Sequence, residues 1–168
     1  MRVKLGSRDQ YAIVDRSDLS ILGKLESWCY FKKPSDKTGY AYKLEHKKGQ
    51  YYPTGKKMYR KIWMHNLLLG TREVDHINGN GLDNRRCNLR RADRFQQAYN
   101  RPTQRNKKSA GIKGVSWVRD KRGISKYCIA RITVRGKRIY LGVFKSEIQA
   151  NKAYVKAAKK YHKEFFRY

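Results

Sequence analysis

Residues 74–90 read VDHINGNGLDNRRCNLR, and this stretch leaves the backbone few choices. Two Asn-Gly steps, at 78–79 and 80–81, favour tight turns because Asn and Gly tolerate positive φ. REVDH before them and CNLRR after them each read as a short strand. DRFQQAYN follows and reads as a helix, with Asp93 at the N-cap and Gln96 three residues on in capping-box spacing. Pro102 disfavours helical geometry at Arg101, so this helix is expected to end near Asn100. The segment is thus strand, loop, strand, helix, and an Asp-His doublet, Asp75–His76, sits where the loop begins.

The flanking segments have their own patterns. In residues 1–62, YAIV reads as a strand and DLSILGKL as a short capped helix. SWCYF and GYAYKLE are β-rich, with PSDKTG as the turn between them. The aromatic residues Trp28, Tyr30, Tyr40 and Tyr42 are read as core. IWMHNLLLG opens the central segment, 63–105, as a short helix ending at Gly70. A basic stretch without apolar periodicity follows, and 106–112 is read as a linker. In residues 113–168, GVSWV, KYCIARITV and KRIYLGVF are three strands. SEIQANKAYVKAAKKYHKE is a helix with Ser146 as its cap and one apolar stripe through Ala150, Ala153, Tyr154, Ala157 and Tyr161. The fold class expected is α+β: a small N-terminal hairpin module, a ββα core, and a three-stranded antiparallel sheet covered by a helix.

Charge narrows the function. Lys plus Arg number 41 against 13 Asp plus Glu, a formal charge of +28 in 168 residues. A protein this basic is expected to neutralise phosphates. No apolar run is long enough to span a bilayer, and the first residues lack the apolar centre of a signal peptide. A cytoplasmic protein with no membrane partner is expected. The three cysteines form no CxxC pair, so no structural zinc is expected.

Within such a chain an Asp-His doublet suits phosphodiester hydrolysis. A neutral histidine can take a proton from water near pH 7. A carboxylate can hold a hard divalent cation, with waters and phosphate oxygens completing its shell. On a strand, adjacent side chains leave opposite faces, so the two would serve from different sides.

VDHINGNGLDNRRCNL resembles the HNH nuclease motif in the form found in phage homing endonucleases, and WMH matches that family's histidine-bearing segment upstream. GVSW, ARI, YLGVF and AYVKAAKKYHKEF resemble the AP2 DNA-binding domain. YAIVDRSD and GYAYKL resemble the amino-terminal part of the same phage proteins. The resemblance implies a ββα-metal nuclease core with His76 as general base and Asp75 as ligand to magnesium or manganese. Asn88 would be the central Asn that ties the loop to the strand and helps hold His76. The family's further ligand is an Asn on the helix; here that position is Gln97, with Asn100 one turn later as the alternative. His65 is read as a packed histidine.

Strand parity in the third segment assigns faces. Cys128, Ala130 and Ile132, with Ile139, Leu141 and Val143, suit the helix. Arg131, Thr133, Arg138 and Tyr140 then lie on the open face, which the AP2 family lays in the DNA major groove. Val115 and Trp117 are read as core, leaving Ser116 and the turn residue Arg119 as further DNA contacts. The function expected is a homing-type endonuclease acting on double-stranded DNA, as a monomer on DNA or as a dimer. The rivals are a DNA-binding regulator with an inactive HNH core and an RNA-binding protein.

Overall fold

The computed structural model describes residues 1–168 except 35, 102–111, 120–122, 124–125 and 168. The chain is mixed α+β, with four α-helices and several small antiparallel sheets among the described residues. It divides into two compact units, Met1–Asp93 and Arg94–Tyr168. Of the expected linker 106–112, all but Ile112 lies outside the described residues.

The first unit opens with a hairpin of β1 (Arg2–Lys4) and β2 (Tyr11–Ile13), in which Val3 pairs with Ala12 and both are buried. Helix α1 (Leu19–Leu22) is shorter than DLSILGKL suggested; it stops at Gly23, whose φ is 69°. Strands β3 (Cys29–Phe31), β4 (Tyr40–Tyr51) and β5 (Lys57–Trp63) form an antiparallel sheet in the order β3-β4-β5. Ile62 and Trp63, read above as helical, finish β5. Helix α2 (Met64–Leu69) starts only at Met64 and ends on Gly70 in the left-handed conformation, φ 64° and ψ 22°. Strands β6 (Val74–His76) and β7 (Leu89–Arg91) close the unit. Trp28 and Leu22 from the amino-terminal part pack in one core with Met64, Leu68, Val74 and Leu89. Segments 1–62 and 63–93, distinct in sequence pattern, therefore share a single apolar cluster. Trp28 is fully buried, and its indole N–H donates to the Leu22 carbonyl at 3.3 Å.

The second unit begins with α3 (Arg94–Asn100), the helix grouped by sequence with the central segment. Its Tyr99 stacks on His162 with ring centroids 3.8 Å apart, and the Tyr99 hydroxyl accepts the Arg135 N–H at 2.7 Å. Strands β8 (Val115–Arg119), β9 (Lys126–Val134) and β10 (Lys137–Phe144) form a meander with β9 central. Arg135 and Gly136, both at positive φ, turn β9 into β10. Helix α4 (Glu147–Tyr161) is capped by Ser146, whose hydroxyl accepts the Gln149 N–H at 3.3 Å. Cys128, Ala130 and Ile132 pack against Ala150, Tyr154, Ala157 and Ala158 of this helix, as parity required.

Parity fails at one place in β10. The pairing slips between Tyr140 and Gly142, a β-bulge with Gly142 at φ 131°. An extra residue reverses the alternation beyond it. Val143, assigned to the helix side, is 53 % exposed, and Phe144 joins Leu141 against the core instead. Trp117 shares the side of Val115 yet is 39 % exposed, because β8 is an edge strand; its indole N–H reaches the Glu147 carboxylate.

Gly114 has φ +73°, and a Cβ there would lie 2.3 Å from the Tyr154 ring and 2.4 Å from the Arg131 carbonyl oxygen. Gly114→Ala should cost roughly 2–4 kcal/mol from overpacking plus left-handed strain. Gly136→Ala, whose Cβ would meet only the Phe95 ring at 3.6 Å, should cost only the strain of about 1–2 kcal/mol. Thermal melts of the two variants check this; equal losses of Tm would contradict the packing argument.

Candidate catalytic site

The 77–88 loop is organised by one side chain. The amide of Asn88 donates to the Asp83 carbonyl at 2.7 Å and accepts the Asn78 backbone N–H at 2.9 Å. Asn78 in turn donates its amide to Asp83 at 2.9 Å and accepts the Asn80 N–H at 2.8 Å. The far end of the loop is stitched to β2: the Ile13 N–H donates to the Leu82 carbonyl at 2.8 Å, and the Asn84 N–H to the Ile13 carbonyl at 2.7 Å. Asp83, Asn84 and Asn88 are all buried. The guanidinium of Arg85, at 2.7 and 2.8 Å, holds the Asp83 carboxyl below the usual carboxylate range, against the opposing effect of burial. Gly81 passes so close to Tyr40 that an added Cβ would lie 2.5 Å from its ring.

This loop fixes the surroundings of His76. In the β6–β7 ladder His76 pairs with Leu89 and Asp75 with Arg90. The His76 ring is buried, with Nε2 3.4 Å from Asn84 Oδ1. Two aromatic rings also lie against it: His65 at 5.0 Å between centroids, edge-on at 80°, and Tyr40 at 6.0 Å. His65 itself lies nearly parallel to Trp63 at 6.2 Å, and its Nδ1 is buried without a hydrogen-bond partner. Burial pushes the His76 pKa down, opposed by the Asn84 contact and by Asp75 and Asp83. Burial and the neighbouring His76 ring push His65 down to about 3. Both imidazoles are therefore neutral at pH 7.

Asp75 lies on the other side of β6. Arg90 donates to its Oδ2 from Nε at 2.9 Å and Nη2 at 2.7 Å, and both side chains are largely covered, 11 % exposed for Asp75 and 15 % for Arg90. By donor chemistry the carboxylate suits a hard divalent cation, but at Oδ2 such an ion would share or replace the guanidinium. No three His, Cys, Asp or Glu side chains converge as a metal cage among the described residues. One carboxylate with waters and phosphate oxygens is nevertheless a usual way to hold magnesium. Gln97 and Asn100 belong to the second unit; Gln97 is half-buried, and Asn100, at the last position of α3, is buried rather than at a loose end.

The second unit presents the expected open face. Cross-strand pairing sets Arg131 beside Tyr140 and Thr133 beside Arg138, with Ser116 opposite Ile129 and Ile129 opposite Val143. Five of the six anticipated contact residues therefore share the face away from α4. Arg119 does not: it is the last residue of β8 and alternates with Val115 and Trp117, on the helix side.

Arg90, Asp83 and Asn84 were not singled out by sequence, and Tyr40 was read only as core, though it is half-buried. Arg90 was recoverable, because an antiparallel ladder centred on the loop sets it opposite Asp75. Tyr40 was not, since its approach depends on the close pass of Gly81. Compared with protein-family models, with curated proteins and with solved structures, the chain matches none. Among the described residues no helix is long and apolar enough to cross a membrane.

A histidine whose pKa is lower folded than unfolded stabilises the fold above its unfolded pKa and loses that contribution as pH falls toward the folded value. For His65 the window runs from 6.5 down to about 3. Between neutrality and pH 5 this single group should cost roughly 2 kcal/mol of stability. Tm measured across that range should fall for the wild type and fall less for His65→Phe, which keeps a ring but cannot protonate. Equal slopes would show that His65 is not held neutral by the fold.

Proposed function

We propose that the chain is a metal-dependent endonuclease of the HNH homing type that hydrolyses phosphodiester bonds in double-stranded DNA, with the β8–β9–β10 sheet acting as an AP2-like DNA-binding domain. The observation that carries this reading is the Asn88 clasp, which fixes a loop with a buried neutral imidazole and a carboxylate on adjacent strand positions. With Nε2 directed at Asn84 Oδ1, the tautomer that donates there keeps its lone pair on Nδ1. His76 then acts as the general base, taking a proton from water at Nδ1 as the oxygen attacks phosphorus. Asp75 is the protein's ligand to magnesium or manganese. Bound there, the ion supplies charge stabilisation at the scissile phosphate. The net charge of +28 supports a polyanionic substrate, and the arginines on the open sheet face suit phosphate and guanine contacts. One such core per chain suits a nick by a monomer; a double-strand break would need a dimer or two events.

A second reading, a DNA-binding regulator with an inactive core, is favoured by two observations. Arg90 already pairs with Asp75, and Gln97 stands where the family pattern has Asn.

Supercoiled plasmid incubated with the protein and magnesium separates the two. Relaxation or linearisation is expected, and His76→Ala should slow it on the order of 10²–10⁴-fold while duplex affinity stays nearly unchanged. A wild-type protein that binds duplex but never cuts it, with magnesium or manganese, would establish the regulator.

In the same assay Gln97→Ala should depress cleavage at low magnesium more than Asn100→Ala does, and Gln97→Asn should keep or raise it. Asn100 is buried, so Tm of each variant must be measured alongside. A larger catalytic loss from Asn100→Ala at unchanged Tm would move the ligand to that residue.

A further inference from the structure

Strands β4 and β5 run well past the sheet they belong to. Strand β3 pairs only with residues 40–42, so beyond Tyr42 the two strands continue as a two-stranded ribbon to the turn at 52–56. β4 bulges between His46 and Tyr51, with Gly49 at φ 73°, so the ribbon is as long as the β5 arm opposite it, residues 57–61, roughly 17 Å at ~3.3 Å per residue. An isolated two-stranded hairpin is marginal in water, and this one has little apolar surface to bury at its tip. Leu44, Tyr51, Tyr52 and Tyr59 are each more than half exposed. Residues 43–61 carry seven Lys or Arg against one acidic residue, Glu45, which Arg60 already pairs. The result is a basic ribbon whose tyrosines remain more than half exposed.

The faces of the ribbon differ. Cross-strand pairs put Tyr42 with Trp63, Leu44 with Lys61 and His46 with Tyr59 on one side. At the tip His46 contacts the rings of Tyr51 and Tyr59 at 5.9 and 5.6 Å. At the base the Lys61 ammonium sits over Phe31 and Tyr42, 4.0 and 4.7 Å from their centroids. The same side continues through Trp63 to Tyr40, 6.1 Å away, and Tyr40 touches both His65 and His76. One aromatic and basic face therefore runs from the ribbon tip to the candidate general base, all within the first unit.

We propose that this ribbon face docks duplex DNA immediately beside His76, the two strands lying in a groove and the lysines on the flanking phosphates. A major groove about 12 Å wide admits a two-stranded β-ribbon. Charge complementarity selects the partner: lysines 47, 48, 56 and 57 bracket the turn, with no acidic residue among 46–59. The inference rests on the reading of the chain as a DNA-cleaving protein, and it adds a second binding surface, separate from the β8–β9–β10 sheet, that holds the duplex next to the cut.

The test is the salt dependence of binding to a mixed-sequence duplex without divalent metal, for the full chain and three variants. The first replaces Lys47, Lys48, Lys56 and Lys57 by Gln, the second replaces the same four by Arg, and the third replaces Lys152, Lys156, Lys159 and Lys160 of α4 by Gln. Each lost phosphate contact should reduce the slope of log K against log salt by about 0.9, so the first variant should lose up to about 3–4. The Arg variant should keep the wild-type slope, and the α4 variant, of equal net charge to the first, should lose less. A wild-type slope in the ribbon Gln variant, or equal losses in the ribbon and α4 Gln variants, would overturn the proposal while leaving DNA binding itself intact. A wild-type protein with no affinity for duplex would instead overturn the functional reading on which the proposal rests.

Discussion

The side-chain amide of Asn88 bonds twice to the backbone of its own loop, and much of the first unit is arranged around that fact. Removing the clasp would leave the Asn78 N–H and the Asp83 carbonyl to find new partners beneath buried side chains. Such orphaned groups cost about 1–3 kcal/mol each. Because the loop closes in this way, residues 82–84 can run alongside β2 and bond to Ile13. That attachment carries Asn84 under the His76 ring and Gly81 under Tyr40. Burial keeps His76 neutral, against the Asn84 contact and the nearby carboxylates of Asp75 and Asp83.

Scarcity of acid shapes the same region. With 13 acidic residues against 41 basic ones, carboxylates are the limiting partner. Among the described residues three ion pairs lie in or against residues 75–90: Asp83 with Arg85, Asp18 with Arg86, and Asp75 with Arg90. Asp15 adds a hydrogen bond from the Arg86 backbone N–H at 2.8 Å. Arginines 85 and 86 are exposed at their heads, so those pairs contribute modestly. Their carboxylates, however, are buried, and each would be unfavourable without its partner. The arrangement places three of the chain's few carboxylates, each with its own arginine, in or against this one segment.

The loop and the second unit were legible in the sequence because their signals are local. Asn-Gly steps, the Ser146 cap and the stripe on α4 act within a few residues, and period-two burial along β9 needed only the presence of a covering helix. The ribbon was not legible for the converse reason. Along the outer half of β5, Lys57–Lys61, only Met58 is even half-buried, and no apolar-polar alternation is left for period-two reasoning to detect. Ile62 and Trp63 were drawn into α2 because apolar residues at a strand-to-helix junction fit either period. The bulge at Gly142 was invisible for a similar reason: Val143 and Phe144 are both apolar, so either could face the core until the register slip decides. The shared core of residues 1–93 depends on long-range packing of Trp28 and Leu22 with Met64 that no window of sequence contains.

Arg90 illustrates how far a site can be read before its ligands are known. A carboxylate 11 % exposed needs a positive partner, and in an antiparallel ladder the residue directly opposite is the nearest source. An arginine there meets the need with a guanidinium whose two N–H groups converge on one oxygen. A divalent cation at the same carboxylate would meet it with more charge in a smaller volume, and the two cannot both occupy Oδ2 without repelling each other. If Asp75 holds an ion as proposed, its binding and the release of Arg90 are linked: whatever holds the guanidinium elsewhere favours the ion. A duplex phosphate is such a partner, because it accepts the same fork of donors. On the proposed reading, a DNA substrate would strengthen the hold of Asp75 on a cation by drawing Arg90 away, so that ion and DNA would bind cooperatively through a single side chain.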